Sequence, residues 1–575
     1  MFDYVMRIGQ IFGLFLSAAL PLQAQLANPE YYSLFQQTGA FAETRLIDST
    51  GENLFTWDNS LTAHSGSVAY LREDGLLLRS GQRGAAIGLL PGSFSTVQLV
   101  DPEGQVVWEY NLQEPNEITL HHDFKPIGDG NVLVTVWEFL NAVEMQALGW
   151  QQPAGETGVW MEGLREIEPN LEDGSSEIVW EWYLSDHLVQ DADAGDANFG
   201  VVADSPGLVD INFNAGIRSG DYFHISGIDY NPERDEIVVC PNVIDELWVI
   251  DHSTTTAEAA TSAGGNRGRG GDIIYRWGNP DVYQFGGGQG SQFLSGAHDP
   301  RWFFCPEEKE WRLTVHNNDR VDNDPATNSQ VLELQLPFDE LGNYLLEDDN
   351  PYAPATPEVR YEIDPSPNAP FVFSTRIMGG AQVLGNGNIL ITLALDAELA
   401  EIDPQGNVVW ETDISGGGFV FKAQNYPISF PGLPSALQVN YEIWQDAHFG
   451  EGQPQGSGPE DDPDRDGSAN LAEYYAGTNP TESSSSLLLE PEIIETGNDR
   501  NLSVTFQRRI FAPDIVEQIE FSRTLEPWVN EFSSVFQGEA INRFNDSAET
   551  VTIDLAIPED APRGFIRVSL DTASE

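Results

Sequence analysis

At 575 residues the chain is longer than one ordinary domain, and two to four structural units are expected. Its 40% hydrophobic and 11% aromatic content, with 14 Trp, can build a sizeable core and excludes a disordered chain. A formal net charge of -64, from 91 acidic against 27 basic side chains, repels nucleic acid and anionic membrane surfaces. Such a charge suits a salty medium, where screening tolerates self-repulsion, and it leaves acid to spare for binding cations.

Residues 1–24 read as a signal peptide. Arg7 supplies the positive start, Ile8 to Leu22 the apolar run, and Leu22-Gln23-Ala24 a small residue at a cleavage point. The run is shorter than the roughly 20 residues a membrane span needs, and no later segment could cross a bilayer. A periplasmic or secreted protein is therefore expected, with no stable membrane insertion after cleavage. Two cysteines, Cys240 and Cys305, leave room for one disulfide but rule out a disulfide framework.

Next comes a degenerate repeat. One half is an apolar run, Asp, a turn, and a second run ending in Trp. It occurs at Leu46-Ile47-Asp48 to Trp57, Leu99-Val100-Asp101 to Trp108, Val249-Ile250-Asp251 to Trp277 and Glu401-Ile402-Asp403 to Trp410, with a weaker copy around Trp180. The other half is a turn followed by a β-branched run, as in Gly130-Asn131-Val132-Leu133-Val134 and Gly387-Asn388-Ile389-Leu390-Ile391. Short apolar or alternating segments between Gly, Asn, Asp and Pro turns argue strands. Repeated over about residues 28–428, they predict an all-β fold, a six-bladed β-propeller.

Three histidines fall in phase with this repeat. His122 precedes the Gly130–Val134 strand, His224 the Glu236–Val239 strand and His298 the Leu313–Val315 strand. Equivalent positions in successive blades surround one axis, so the three imidazoles are expected to converge on the central channel. Imidazole titrates near neutral pH and serves as nucleophile, proton donor or metal ligand. Asp123 and Asp299, which follow two of them, would orient a ring or cap a turn. His187 is placed at the channel rim, and His252 in a loop. His64 and His448 are given no catalytic role.

At these residues the chain resembles the arylsulfate sulfotransferases. The matching stretches run in order from His121-His122-Asp123-Phe124 through Trp180-Glu181-Trp182, Ile228-Asp229-Tyr230-Asn231-Pro232, Leu247-Trp248-Val249-Ile250-Asp251, Tyr275-Arg276-Trp277-Gly278-Asn279-Pro280 and Ala297-His298-Asp299 to Gly379-Gly380-Ala381-Gln382. The resemblance implies a propeller that moves a sulfuryl group from an aryl sulfate donor to a phenolic acceptor through a sulfated histidine. It implies no use of PAPS or another nucleotide, and no phosphate-cradling loop is found. By residue match His298 would be the nucleophile, with His122 and His224 as hydrogen-bond or proton donors. Asn242 stands where the family carries Arg, and Ser226 where it reads Asn; with His187 these are the expected substrate-binding positions. Arg267, Arg269, Arg320 and Arg376 are candidates to compensate for the missing guanidinium.

Beyond the propeller, residues 435–482 hold a calcium loop. Asp462, Asp464, Asp466, Asn470 and Glu473 stand at positions 1, 3, 5, 9 and 12 of an EF-hand pattern, with Gly467 at the turn and the Ser468 carbonyl at position 7. Structural Ca2+ is expected there, flanked by helices at Tyr441–His448 and Leu471–Ala476. Residues 484–575 read as a small β-sandwich with strands at Leu502–Phe506, Val516–Phe521, Val551–Leu555 and Gly564–Leu570. Two rival readings remain: a non-catalytic, calcium-stiffened extracellular binding propeller, and a metal enzyme with histidine ligands. The sequence leaves a homo-oligomer open.

Overall fold

The computed structural model describes residues 31–572 apart from 39–42, 58–60, 62–67, 84–89, 113–117, 152–155, 214–219, 286–291, 306–307, 319–328, 340, 348–349, 363–374, 415–417, 429, 435–436, 438–440, 451–453, 477, 482, 484–489, 497–498, 510–514, 523–535, 544–547 and 557–564. The signal-peptide reading, His64 and Arg320 lie outside the described residues. Two compact units divide the chain, the second comprising Tyr426–Glu575 with the short stretches Glu73–Gly75 and Phe304–Lys309.

The first unit is the expected six-bladed propeller. Blade 1 runs outward from Val420–Pro427 through Tyr31–Gln37 and Thr44–Ile47 to Asn53–Trp57, so the last strand joins the first three and closes the ring. Blade 2 is Ala69–Leu71, Leu77–Gly81, Thr96–Val100 and Val106–Asn111. Blade 3 is Ile118–Pro126, Val132–Asn141, Gly158–Pro169 and Ser176–Tyr183, with Ser93–Phe94 beside its inner strand. Blade 4 is Ile225–Asn231, Glu236–Pro241, Leu247–Asp251 and Tyr275–Trp277. Blade 5 is His298–Cys305, Glu310–Asn317, Gln330–Gln335 and Glu358–Glu362, and blade 6 is Gly380–Val383, Ile389–Leu393, Glu398–Ile402 and Val408–Asp413.

The repeated Asp and Trp each have a physical task. Asp48, Asp101 and Asp403 accept backbone N–H groups two to four residues ahead, fixing the outer hairpin turn. The turn places Gly51, Gly104 and Gly406 at φ of 79°, 82° and 83°, which glycine adopts without steric cost. A register break at Leu46/Ile47, Leu99/Val100 and Glu401/Ile402 marks the accompanying bulge. The Trp then buries its ring and ties one blade to the next. Trp108 Nε1 donates to the Ser175 carbonyl, Trp180 Nε1 to Thr254 Oγ1 and Trp277 Nε1 to the Pro354 carbonyl.

The inner strands of all six blades meet in one buried polar network. Lys422 Nζ of blade 1 donates to Asp123 Oδ2 of blade 3 at 2.6 Å and to Asp299 Oδ1 of blade 5 at 3.0 Å. Tyr70 of blade 2 and the Ile228 N–H of blade 4 also donate to Asp123. The Ala381 N–H of blade 6 and Arg301 donate to Asp299. Asp123 and Asp299 are thus not ring orienters but the acceptors that lock the blades around the axis. Cys240 and Cys305 are both buried free thiols, so no disulfide contributes.

In the second unit, helices span Tyr441–Phe449 and Asn470–Ala476. Six strands follow: Glu490–Thr496, Asp499–Arg509, Ala548–Ala556 and Phe536–Arg543 form one antiparallel sheet, and Ile515–Ser522 pairs with Phe565–Thr572. Three of the four strands read from sequence lie within these, and the fourth, Gly564–Leu570, coincides with Phe565–Thr572 except for Gly564, which is outside the described residues. The charged Glu490–Thr496 and the glycine-containing Phe536–Arg543 lack the alternation that would reveal them. Among the described residues no helix is long and apolar enough to cross a membrane.

Candidate active site

His224 stands just before the inner strand Ile225–Asn231, His298 opens the inner strand His298–Cys305, and His122 lies in the middle of the inner strand Ile118–Pro126; ring contacts through His122 and Phe421 link the three. The His122 and His224 ring centroids lie 4.2 Å apart, and Phe421 contacts both His122 and His298, at 6.2 and 6.0 Å. All three histidines are at least nine-tenths buried. His122, His224, Asp299 and Met378 take φ of 46°, 59°, 51° and 60°. Left-handed backbone at non-glycine residues costs free energy and persists where the surroundings over-determine it. Gly92 closes over His122, where a Cβ would fall 2.2 Å from the imidazole Cε1.

His298 is oriented by a residue the sequence reading missed. Asn318 Nδ2 donates to the Thr375 and Met378 carbonyls, which fixes its amide orientation. Its Oδ1 therefore faces His298 Nδ1 at 2.7 Å as an acceptor, and the Gly296 carbonyl faces the same nitrogen at 2.9 Å. Two acceptors at Nδ1 assign the proton of the neutral ring to that atom, so Nε2 carries the lone pair. The Met378 N–H donates to Nε2 at 3.3 Å. Behind this segment His316 is fully buried, and burial pushes its imidazole down to about 4 against the opposing pull of Asp299.

His224 forms a dyad with Asp221, whose Oδ2 accepts from Nδ1 at 2.5 Å. His122 has His121 as its neighbour, the two Nδ1 atoms 3.1 Å apart. His121 stacks on Trp137, centroids 4.1 Å apart and planes 2° from parallel. Glu162 lies beyond, its Oε2 3.1 Å from His121 Nε2, while its Oε1 accepts from Trp137 Nε1 and the Ile225 N–H.

The remaining sequence candidates sit differently. Asn242 is buried, and its backbone N–H donates to the His224 carbonyl. The Ser226 hydroxyl reaches the Ala297 carbonyl, beside His298, at 2.8 Å. His187 lies apart from the three histidines, stacked on Trp182, with Nδ1 on Asp272 and Nε2 on the Ala259 carbonyl. His252 binds Asp235 and Glu166; burial favours its neutral form, but the two carboxylates outweigh it and raise the imidazole to about 9. Among the compensating arginines, Arg267 pairs with Glu236. Arg376 is exposed, two residues from the Met378 that touches His298.

In the calcium-type loop, one oxygen each from Asp462, Asp464 and Asp466 lies within 4.8 Å of the others. Among the described residues, no group of three His, Cys, Asp or Glu side chains in the propeller meets that spacing. Asn470 and Glu473 are fully buried. Asp464 Oδ2, Asp466 Oδ2, Asn470 Oδ1 and Glu473 Oε2 are buried without a hydrogen-bond partner. Unsatisfied buried oxygens are costly unless a cation meets them, so the donor set fits a hard cation. Burial, reinforced by Asp464 and Asp466, raises the Glu473 carboxyl to about 7.

Fold and site thus define a propeller with histidines gathered along its inner strands, one imidazole carrying its lone pair on Nε2. The sequence model of the arylsulfotransferase (ASST) family matches residues 68–416, and the chain belongs to that family. Similar solved structures include a protein of unknown function from Bacteroides caccae, with 11% identity over 69% of this chain and 98% of that one, TM-score 0.36. The periplasmic gluconolactonase of Pseudomonas aeruginosa has 13% identity over 69% and 98%, TM-score 0.33. A streptogramin B lyase has 11% identity over 63% and 72%, TM-score 0.28. At these scores they carry no argument about this chain. No curated protein matches it.

Proposed function

We propose that the protein transfers a sulfuryl group from an aryl sulfate ester to a phenolic acceptor, without PAPS, through a sulfated His298. The observation that carries this reading is the tautomer of His298. With the proton held at Nδ1 by Asn318, the lone pair sits on Nε2, which attacks sulfur once bound substrate turns the Met378 N–H away from it. Attack forms the N–S bond and breaks the S–O bond to the aryl group. The leaving phenolate takes a proton from His122 or His224, which stand beside Phe421 and the dyad carboxylate Asp221. In the second half-reaction the acceptor phenol gives its proton to the same imidazole and attacks sulfur, and the N–S bond breaks. The sequence brings Asn242 to the family's Arg position, so anion recognition falls to neutral donors such as the Met378 N–H and to Arg376 at the periphery.

The same reading takes the protein to be exported, with residues 1–24 as its leader. It also takes Asp462, Asp464, Asp466, the Ser468 carbonyl, Asn470 and Glu473 to hold calcium. The ion would supply positive charge that binds loop to helix and stiffens this segment. The test of the transfer is release of a chromogenic phenol from its sulfate ester, followed with and without an acceptor phenol. Acceptor-dependent release that His298→Ala abolishes while the variant keeps its melting temperature supports the proposal. A folded wild type that binds aryl sulfates but releases nothing across a donor panel replaces it with the binding propeller.

A further inference from the structure

We propose that Glu162 and His121 form a relay that loads His122 with the proton delivered to the leaving phenolate. The inference rests on the sulfuryl transfer proposed above and makes both positioning residues. Glu162 is fully buried, and among the described ion pairs no Lys or Arg meets it. Its partners are the Trp137 indole N–H at 3.0 Å, the Ile225 N–H at 3.1 Å and, off the ideal hydrogen-bonding line, His121 Nε2 at 3.1 Å. A carboxylate so far from water demands positive charge nearby, and His121 is the group placed to carry it. Two Nδ1 atoms facing each other at 3.1 Å also bond only if one of them is protonated.

Both demands are met at once when His121 is the imidazolium. Its Nδ1–H then donates to His122 Nδ1, which leaves the proton of His122 on Nε2. The step balances. The His122 Nε2–H bond breaks as the aryl oxygen gains that proton, and the His121 Nδ1 proton passes to His122 Nδ1. His121 ends neutral, its remaining proton on Nε2 toward Glu162. The acceptor phenol drives the same moves in reverse. Trp137 holds the geometry, since its ring stacks on His121 while its N–H grips Glu162. The His224–Asp221 dyad also stands against the pair, reached through the His122 ring.

Glu162→Gln keeps the Oε1 acceptor for Trp137 and Ile225 and removes the charge. Its kcat/KM is measured on aryl sulfates whose phenols span a range of acidity. Leaving groups that need no proton should lose little, within about threefold, and unsubstituted phenyl sulfate about 100-fold, the scale of general-acid catalysis. A uniform loss across donors, or none, overturns the relay, because a merely structural role does not read leaving-group basicity. Should Glu162→Gln fail to fold by thermal melting, His121→Gln must reproduce the graded loss, and its failure to do so also overturns the relay. A wild type inactive on every donor refutes the transfer reading itself and takes the relay with it.

Discussion

Lys422 is the keystone of the axial network, and Lys422→Met tests that role. Met retains most of the unbranched stem and removes the charge, so the strand keeps its packing. Asp123 and Asp299 then lose their shared cation at 2.6 and 3.0 Å. Removing one partner of a buried ion pair costs about 3–5 kcal/mol. The lower end applies here, because Asp299 keeps Arg301 and Asp123 keeps donors from Tyr70, Phe124 and Ile228. A loss of about 3 kcal/mol lowers the melting temperature of a domain this large by roughly 4 °C. The assay is a double-mutant cycle by thermal melting at pH 7 with Lys422→Met, Asp123→Asn and the pair. Asp123→Asn should cost stability alone but recover about half the loss in the Lys422→Met background, since the stranded charge is gone. Additive losses with no recovery, or a Lys422→Met protein that melts with the wild type, would refute the reasoning.

Three further outcomes are expected. His252 rises from 6.5 to about 9 on folding, so its share of stability is complete below pH 6.5 and is lost as pH climbs through 9; His252→Gln should flatten a loss of about 3 kcal/mol in urea midpoints across that window. Asp299 is held at about 2, because Arg301 and Lys422 outweigh burial; its contribution of about 2 kcal/mol stands above pH 3.8 and disappears as pH falls through 2, seen as a Lys422-dependent acid transition. Calcium added to chelator-stripped protein should raise the melting temperature of the second unit, and Glu473→Gln should remove the response. A melting temperature indifferent to calcium in the wild type contradicts the loop assignment.

The legible parts of this protein are those set by neighbours in the chain. The Asp-turn-Trp repeat is visible because a side-chain carboxylate, a glycine at positive φ and a bulge act within a few residues. The histidines were found by their common phase in that repeat, which needs no knowledge of contacts. What escaped depends on pairs far apart in sequence. Lys422 meets Asp123 across 299 residues, and nothing near either residue announces it, although a lone lysine in the apolar run Phe419–Ala423 was a signal. Asn318 and Asp221 escaped for the same reason. His121 carries no mark in the sequence beyond standing next to His122, and the Glu162 beside it comes from another strand. His187 shares the motif but is drawn into a closed contact with Asp272 and Ala259 by a loop whose course the repeat does not encode.

The central claim is a covalent intermediate on His298. The direct measurement is mass analysis of protein quenched under mild alkali after mixing with an aryl sulfate in the absence of acceptor. The account predicts one added SO3 group, carried by the peptide containing His298, absent from His298→Ala and discharged by adding a phenol. Phenol release with no adduct, or an adduct mapped to another residue, would contradict it.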